Sequence, residues 1–263
     1  MRKKLVLSTL LALSLLVLAA GGYVLGQRAV EYAKGDEAYS GLEEYVSFPS
    51  SSPDADESGS AQQTETPRAQ SGAPSVDFAA LRRINPDIVG WLYCGGTQIN
   101  YPVVQGSDDE YYLDHLFDGT QNANGCLFLD SRVDASFSSV HSIIYGHHMR
   151  SGAMFAALDG YKRQSFYEAH PTMLLITPDA TYEVQLFAAY VAEPSEDAWE
   201  VSFANDEEVQ TWIEAAIARS TFTSDVKPKP GDRLLTLSTC SYEFGDARLV
   251  VMGVMEVACC TYT

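Results

Sequence analysis

Between Lys4 and Arg28 the chain carries no charge, and Leu5 to Leu25 is dominated by Leu, Val and Ala. About 21 such residues are enough to cross a hydrocarbon core as a helix, so this stretch is withdrawn from any globular core. Arg2, Lys3 and Lys4 precede it, and a basic cluster on that flank keeps the N-terminus cytoplasmic and sends the remainder outside. The apolar region of a secretory leader is shorter, roughly 7–15 residues, and ends in a small-x-small cleavage site. Ala19-Ala20-Gly21-Gly22 leaves cleavage open, but the length favours an uncleaved signal anchor. The expected division is a cytoplasmic tail over 1–4 and a transmembrane anchor over 5–26.

Beyond the anchor, the chain divides by composition. Residues 27–74 are expected to form a disordered extracellular linker, because most of the stretch is Ser, Pro, Gly, Asp, Glu, Gln and Thr. Such a composition buries too little apolar surface to order itself. Without Arg2, Lys3 and Lys4, 14 basic residues face 35 acidic ones. A chain so acidic repels nucleic acid and anionic lipid surfaces, so nucleic-acid partners are excluded. The five cysteines (94, 126, 240, 259 and 260) are an odd set without metal-type spacing. At least one thiol therefore stays free or pairs between molecules, and Cys259-Cys260 fall in a short tail, 259–263.

Order is expected over 75–258. Phe78, Leu81 and Ile84 fall three apart behind Ser75 and Asp77, which predicts a short helix ending before Pro86. Short apolar or alternating runs then recur at 88–93, 97–104, 126–129, 142–145, 172–176 and 181–187, separated by turn residues. One long helix interrupts them. Asn205 and Glu208 pair as an N-cap and its capping-box partner, and Val209, Trp212, Ile213, Ala216 and Ile217 make one apolar stripe. Many short strands with few helices point to a mainly β fold, a closed or nearly closed barrel.

The last two runs carry the chemistry. Leu234 to Thr239 reads as a buried strand ending in Cys240; Ser241 to Asp246 supplies turn residues; Arg248 opens the next strand. So short a loop implies an antiparallel hairpin, which sets Cys240 opposite or diagonal to Arg248, about 5 Å away. A guanidinium there favours the thiolate and can stabilise a developing oxyanion. On this pair alone, the inert buried thiol is the better reading of Cys240.

A sulfur nucleophile needs a proton partner, and His147 and His148 follow a strand that breaks at Gly146. Residues just past a strand end are well placed to project into a cleft. Adjacent histidines also raise the question of a metal, but no acidic or sulfur ligand sits at a helical offset and neighbouring side chains diverge on extended backbone. Cys–His nucleophilic catalysis fits better, and neither metal nor cofactor is called for.

Together, Tyr145-Gly146-His147-His148-Met149, Leu237-Ser238-Thr239-Cys240 and Arg248-Leu249-Val250-Val251 resemble the sortases, cysteine transpeptidases of Gram-positive cell surfaces. The match runs over roughly 76–257. Asn85 to Leu92, Tyr101 to Gln105, Tyr111-Tyr112-Leu113 and the insert carrying the Asn205–Ser220 helix look like class B. The resemblance implies an eight-stranded barrel with the site at one end. It implies Cys240 as nucleophile, His147 as acid/base and Arg248 as positioner of substrate and oxyanion. It also implies a substrate groove near Asp109, Leu113 and Ser238, walled by the insert helix.

The expected function is then that of a membrane-anchored transpeptidase. Cys240 would attack the threonine carbonyl of a C-terminal sorting motif on an exported protein, and a peptidoglycan amine would resolve the thioester. Two other readings stay open at this point: another cell-wall cysteine acyltransferase of the L,D-transpeptidase kind, and a surface-tethered binding barrel with an inert thiol.

Overall fold

The computed structural model describes residues 2–48 and 74–258. From the N-terminus come helix α1 (Arg2–Ser40), a two-stranded ladder of β1 (Val46–Ser47) with β2 (Ser75–Val76), and helix α2 (Phe78–Ile84). The barrel strands come next: β3 (Ile88–Tyr93), β4 (Asn100–Val104), β5 (Leu127–Leu129) and β6 (His141–Tyr145). After helix α3 (Gln164–Ala169) come β7 (Thr172–Ile176) and β8 (Thr181–Ala192), then helix α4 (Asp206–Arg219), β9 (Arg233–Cys240) and β10 (Arg248–Val257). Around the closed barrel the order is β10-β8-β7-β3-β4-β5-β6-β9. The eight-stranded, mainly β fold implied by the resemblance is the fold the chain adopts.

Most neighbours are antiparallel, but β4 pairs with β5 and β6 with β9 in parallel. A parallel pair requires a long crossover, and the one from β6 to β9 contains β7, β8, α3 and α4. The last strands read as continuous apolar runs because both faces are covered. Leu235, Leu237, Leu249 and Val251 point into the barrel. Leu234, Val250, Met252 and Val254 lie beneath Val209, Trp212, Ile213 and Ala216 of α4. Ile217, at the edge of that stripe, remains exposed.

Both anticipated helices are capped, α2 by Asp77 rather than Ser75, which lies in β2. Asp77 Oδ1 accepts the Ala80 amide at 2.8 Å, and Asn205 Oδ1 accepts the Glu208 amide at 3.0 Å. The Glu208 carboxylate reaches back one residue further than a standard capping box, to the Ala204 amide at 2.5 Å.

The N-terminal quarter corrects the sequence reading. Residues 27–40 are not linker: α1 runs unbroken to Ser40, and the chain continues through a 3₁₀ turn, Gly41–Tyr45, into β1. Residues 27–40 hold no proline, and Ala, Glu, Gln, Lys and Arg carry helix well. Tyr39, Leu42 and Val46 also find apolar cover against Tyr101, Phe117 and their neighbours. The linker expectation for 49–73 and the tail over 259–263, with Cys259 and Cys260, lie outside the described residues. α1 is long and apolar enough to cross a membrane by length and composition. Two smaller differences remain: β8 extends to Ala192, and α3 is an additional short helix with no cap or stripe by which its sequence would announce it.

The insert is tied to the barrel by a buried imidazole. His141 donates from Nδ1 to the Glu200 carbonyl at 2.6 Å and accepts from Thr236 Oγ1 at Nε2, 2.7 Å away. Burial pushes its pKa down to about 4, against about 6.5 in an unfolded chain. The folded state therefore binds fewer protons between these values, and stability falls as pH drops from about 6.5 towards 4. Denaturant unfolding at pH 7 and pH 4.5 should show a smaller acid-dependent loss for His141→Gln than for the unsubstituted chain. Equal losses would mean that His141 does not carry the effect.

Candidate active site

Register brings two distant parts of the sequence together. β6 and β9 run in parallel with Tyr145 opposite Ser238; β6 ends there while β9 runs on to Cys240, so the continued register sets Gly146 beside Thr239 and His147 beside Cys240. Two hydrogen bonds extend the pairing past the strand ends. The Gly146 amide donates to the Ser238 carbonyl at 3.1 Å, and Thr239 Oγ1 donates to the Gly146 carbonyl at 2.7 Å. On the other flank, β9 and β10 are antiparallel with Cys240 opposite Arg248. Cys240 thus has an imidazole from one neighbouring strand and a guanidinium from the other.

All six residues expected at the site line one cavity of about 270 Å³: Asp109, Leu113, His147, Ser238, Cys240 and Arg248. Phe128, Tyr145, Gly146 and Thr239 complete it. Cys240 is a free thiol, half-exposed, whereas Cys94 and Cys126 are free and buried. Burial pushes the Cys126 thiol up to about 12 and also raises that of Cys94. Those two are poor nucleophiles.

The His147 ring is held by backbone. Its Nε2 lies 2.6 Å from the Leu113 carbonyl; a carbonyl only accepts, so Nε2 carries a proton and Nδ1 takes no part in this contact. The resemblance gives Leu113 a place in the groove, and its carbonyl has this second part. Gly125 makes the contact feasible. It sits at φ 59°, where a Cβ would fall 2.7 Å from the Leu113 oxygen and 3.0 Å from His147 Cδ2. Arg248 donates from Nη1 to the carbonyls of Asp246 and Ala247 at 3.1 and 3.2 Å. Both bonds use one nitrogen, and the remaining guanidinium donors have no protein partner among the described residues. Asp109 accepts the Ser131 amide at 2.7 Å.

Three features around the cavity have no sequence signal. The indole of Trp199 donates to Ser238 Oγ at 3.1 Å. The insert therefore reaches the site through Trp199; α4, expected as a groove wall, contributes no lining residue because its apolar stripe is spent on the outer face of the barrel. Asp130 is fully buried and receives Arg132 and the Tyr145 hydroxyl. Burial opposes its ionisation, but the hydrogen bonds from Arg132 and Tyr145 hold its carboxyl below the usual range. Finally, Lys162 Nζ donates to Ser241 Oγ at 3.1 Å and pairs with Asp159 at 2.6 Å and with Glu243. Hydrogen bonds from Lys162 and Ser241 bring the Glu243 carboxyl down to about 2.

Comparison with known proteins agrees with this geometry. The sortase domain family model matches residues 92–256. Sortase B of Staphylococcus aureus is 35% identical over 178 residues, covering 67% of this chain and 73% of that protein. Sortase B of Listeria monocytogenes is 36% identical over 175 residues, covering 66% and 71%. The crystal structure of S. aureus sortase B superposes with a TM-score of 0.66 at 34% identity, over 69% of this chain and 87% of that one. Clostridium perfringens sortase B superposes with a TM-score of 0.65 at 31% identity, over 68% and 100%. Sortase B has also been solved as a substrate complex, from S. aureus, and in complex with triglycine. The chain belongs to the sortase family. Within it, the chain is a class B sortase, a cysteine transpeptidase.

The Lys162 contacts anchor the loop that follows Cys240. Lys162→Met should lower turnover roughly five- to tenfold by loosening that loop, since small misplacements of reacting groups are costly. Lys162→Arg should restore most of it. Steady-state assays of the two variants decide this, and equal turnover in Lys162→Met and the unsubstituted chain would contradict it.

Proposed function

We propose that this sortase works as a membrane-anchored enzyme, linking exported proteins to peptidoglycan through Cys240, His147 and Arg248. The observation that carries the proposal is the convergence of the three on one cavity from three strand ends. The Cys240 thiolate attacks the threonine carbonyl of a C-terminal sorting motif, forming a C–S bond. The oxyanion is met by the unpartnered donors of Arg248, a placement that favours charge developing in the transition state. The C–N bond breaks as His147 gives its proton to the leaving amine, and a thioester remains on Cys240. An amine from peptidoglycan or its precursor then attacks the thioester and loses its proton to His147. The C–S bond breaks and the thiolate returns.

Asp109, Leu113 and Ser238 are the proposed substrate-binding residues. They line the cavity beside the reacting groups and offer a carboxylate, an exposed apolar side chain and a hydroxyl. α1 serves as the single-pass anchor, with its basic end in the cytoplasm and the barrel outside. The solved sortase B complexes with substrate and with triglycine support a peptide donor and an amine acceptor.

Incubation with a panel of sorting peptides should give an acyl adduct on Cys240 by mass spectrometry and release the C-terminal fragment. Cys240→Ala and His147→Ala should each reduce cleavage by at least about a hundredfold, the scale at which lost nucleophilic or acid–base groups act. Arg248→Lys should retain substrate binding with lower turnover. Undiminished cleavage by Cys240→Ala would overturn the proposal.

A further inference from the structure

We propose that the C-terminal third of α1, beyond its apolar span, is a positioning element for His147, with Tyr39 and Gly35 as its contact residues. The inference rests on the acid/base reading of His147. The segment that supplies the Leu113 carbonyl to His147 continues to Gly125, and α1 lies against its other side. Tyr39 donates its hydroxyl to the Gly125 carbonyl at 2.7 Å. Gly125 is the same residue whose Cα packs under the Leu113 carbonyl and the His147 ring. The loop between them is clamped to α1 as well. Asn122 Nδ2 donates to the Glu31 carbonyl at 2.9 Å, and the Ala123 amide to Glu31 Oε1 at 3.0 Å. Asn124 Nδ2 donates to the Tyr32 carbonyl at 3.3 Å and to Asp36 Oδ1 at 3.2 Å.

Gly35 sets how close the helix can come. A Cβ there would collide with the Asn124 amide and fall 2.9 Å from Asn122 Oδ1. Both asparagines are buried, Asn124 1% and Asn122 4% exposed, with little room to withdraw. Glycine is a poor choice for a helix interior on propensity alone, and the close approach supplies the reason for it. A chain of direct contacts thus runs from α1 through Tyr39 and Gly125 to Leu113 and His147. About 14 residues of helix, roughly 20 Å, make up this segment from Gln27 onward. The helix that leaves the membrane therefore ends against the loop that orients the proton donor.

The consequence is specific to proton delivery. An imidazole held slightly out of line should slow expulsion of an amine, which needs the proton, and spare a leaving group that departs without one. The test uses the full-length chain in detergent micelles, a sorting-motif peptide selected by its cleavage with the unsubstituted enzyme, and the same peptide with an activated ester at the scissile bond. Tyr39→Phe, which removes only the hydroxyl, should lower kcat for the amide about five- to twentyfold, leaving KM and the ester rate within about twofold. Gly35→Ala should do the same although alanine favours the helix, and Lys34→Ala, on the exposed side of α1, should change neither rate. Equal losses for amide and ester, or a loss in Lys34→Ala as large as in Tyr39→Phe, would mean general destabilisation and overturn the inference. Full amide cleavage by Tyr39→Phe and Gly35→Ala beside an inactive His147→Ala would overturn it alone. Full activity of His147→Ala would overturn it together with the functional reading on which it rests.

Discussion

The parallel pairing of β6 with β9 is the constraint on which the rest of the molecule depends. It places the end of β6 at Tyr145 level with Ser238, so the register continued past that end sets His147 beside Cys240, the last residue of β9. A parallel pair cannot be joined by a tight turn, and the crossover that joins these two holds β7, β8 and the insert. The insert in that crossover then contributes to the site, since Trp199 returns to hold the Ser238 hydroxyl. On the opposite edge of β9 the connection to β10 is short, and Arg248 falls opposite Cys240. One strand with one parallel and one antiparallel neighbour therefore collects a thiol, an imidazole and a guanidinium.

Around that strand, the groups most open to reaction are held by the backbone. The Leu113 carbonyl fixes which nitrogen of His147 carries a proton, and the carbonyls of Asp246 and Ala247 hold one end of Arg248. Backbone partners of this kind do not titrate, so the orientation of the ring does not depend on the charge of a third side chain. The charged networks stand one layer back: Asp130 with Arg132 beneath Tyr145, and Lys162 with Asp159 and Glu243 behind the loop after Cys240. They stabilise the segments around Tyr145 and Cys240 and leave the cavity itself with one carboxylate, Asp109, and one guanidinium, Arg248.

The elements legible in the sequence are those whose signal is local. The α4 stripe with its Asn205 cap, the alternation of the later strands and the hairpin from Cys240 to Arg248 can all be read without the fold. The strand break at Gly146 points to His147 and His148 together, and the resemblance to the sortases singles out His147. The backbone role of Leu113, the indole of Trp199 and the buried Asp130 depend on contacts between segments far apart in sequence, and no spacing reports such contacts. Residues 27–40 mislead for a related reason. Their polar residues and Gly35 resemble a linker when counted by composition, yet Tyr39 and the glycine face Gly125 and Asn124 across the fold.

The central claim is that Cys240, His147 and Arg248 act on one carbonyl group from three sides. A crystal structure of the chain with a sorting-peptide aldehyde bound covalently to Cys240 measures this directly. The adduct oxygen should lie within about 3 Å of an Arg248 nitrogen, with His147 Nδ1 turned towards the position of the departing amine. An adduct oxygen pointing away from Arg248, with His147 turned to solvent, would contradict it.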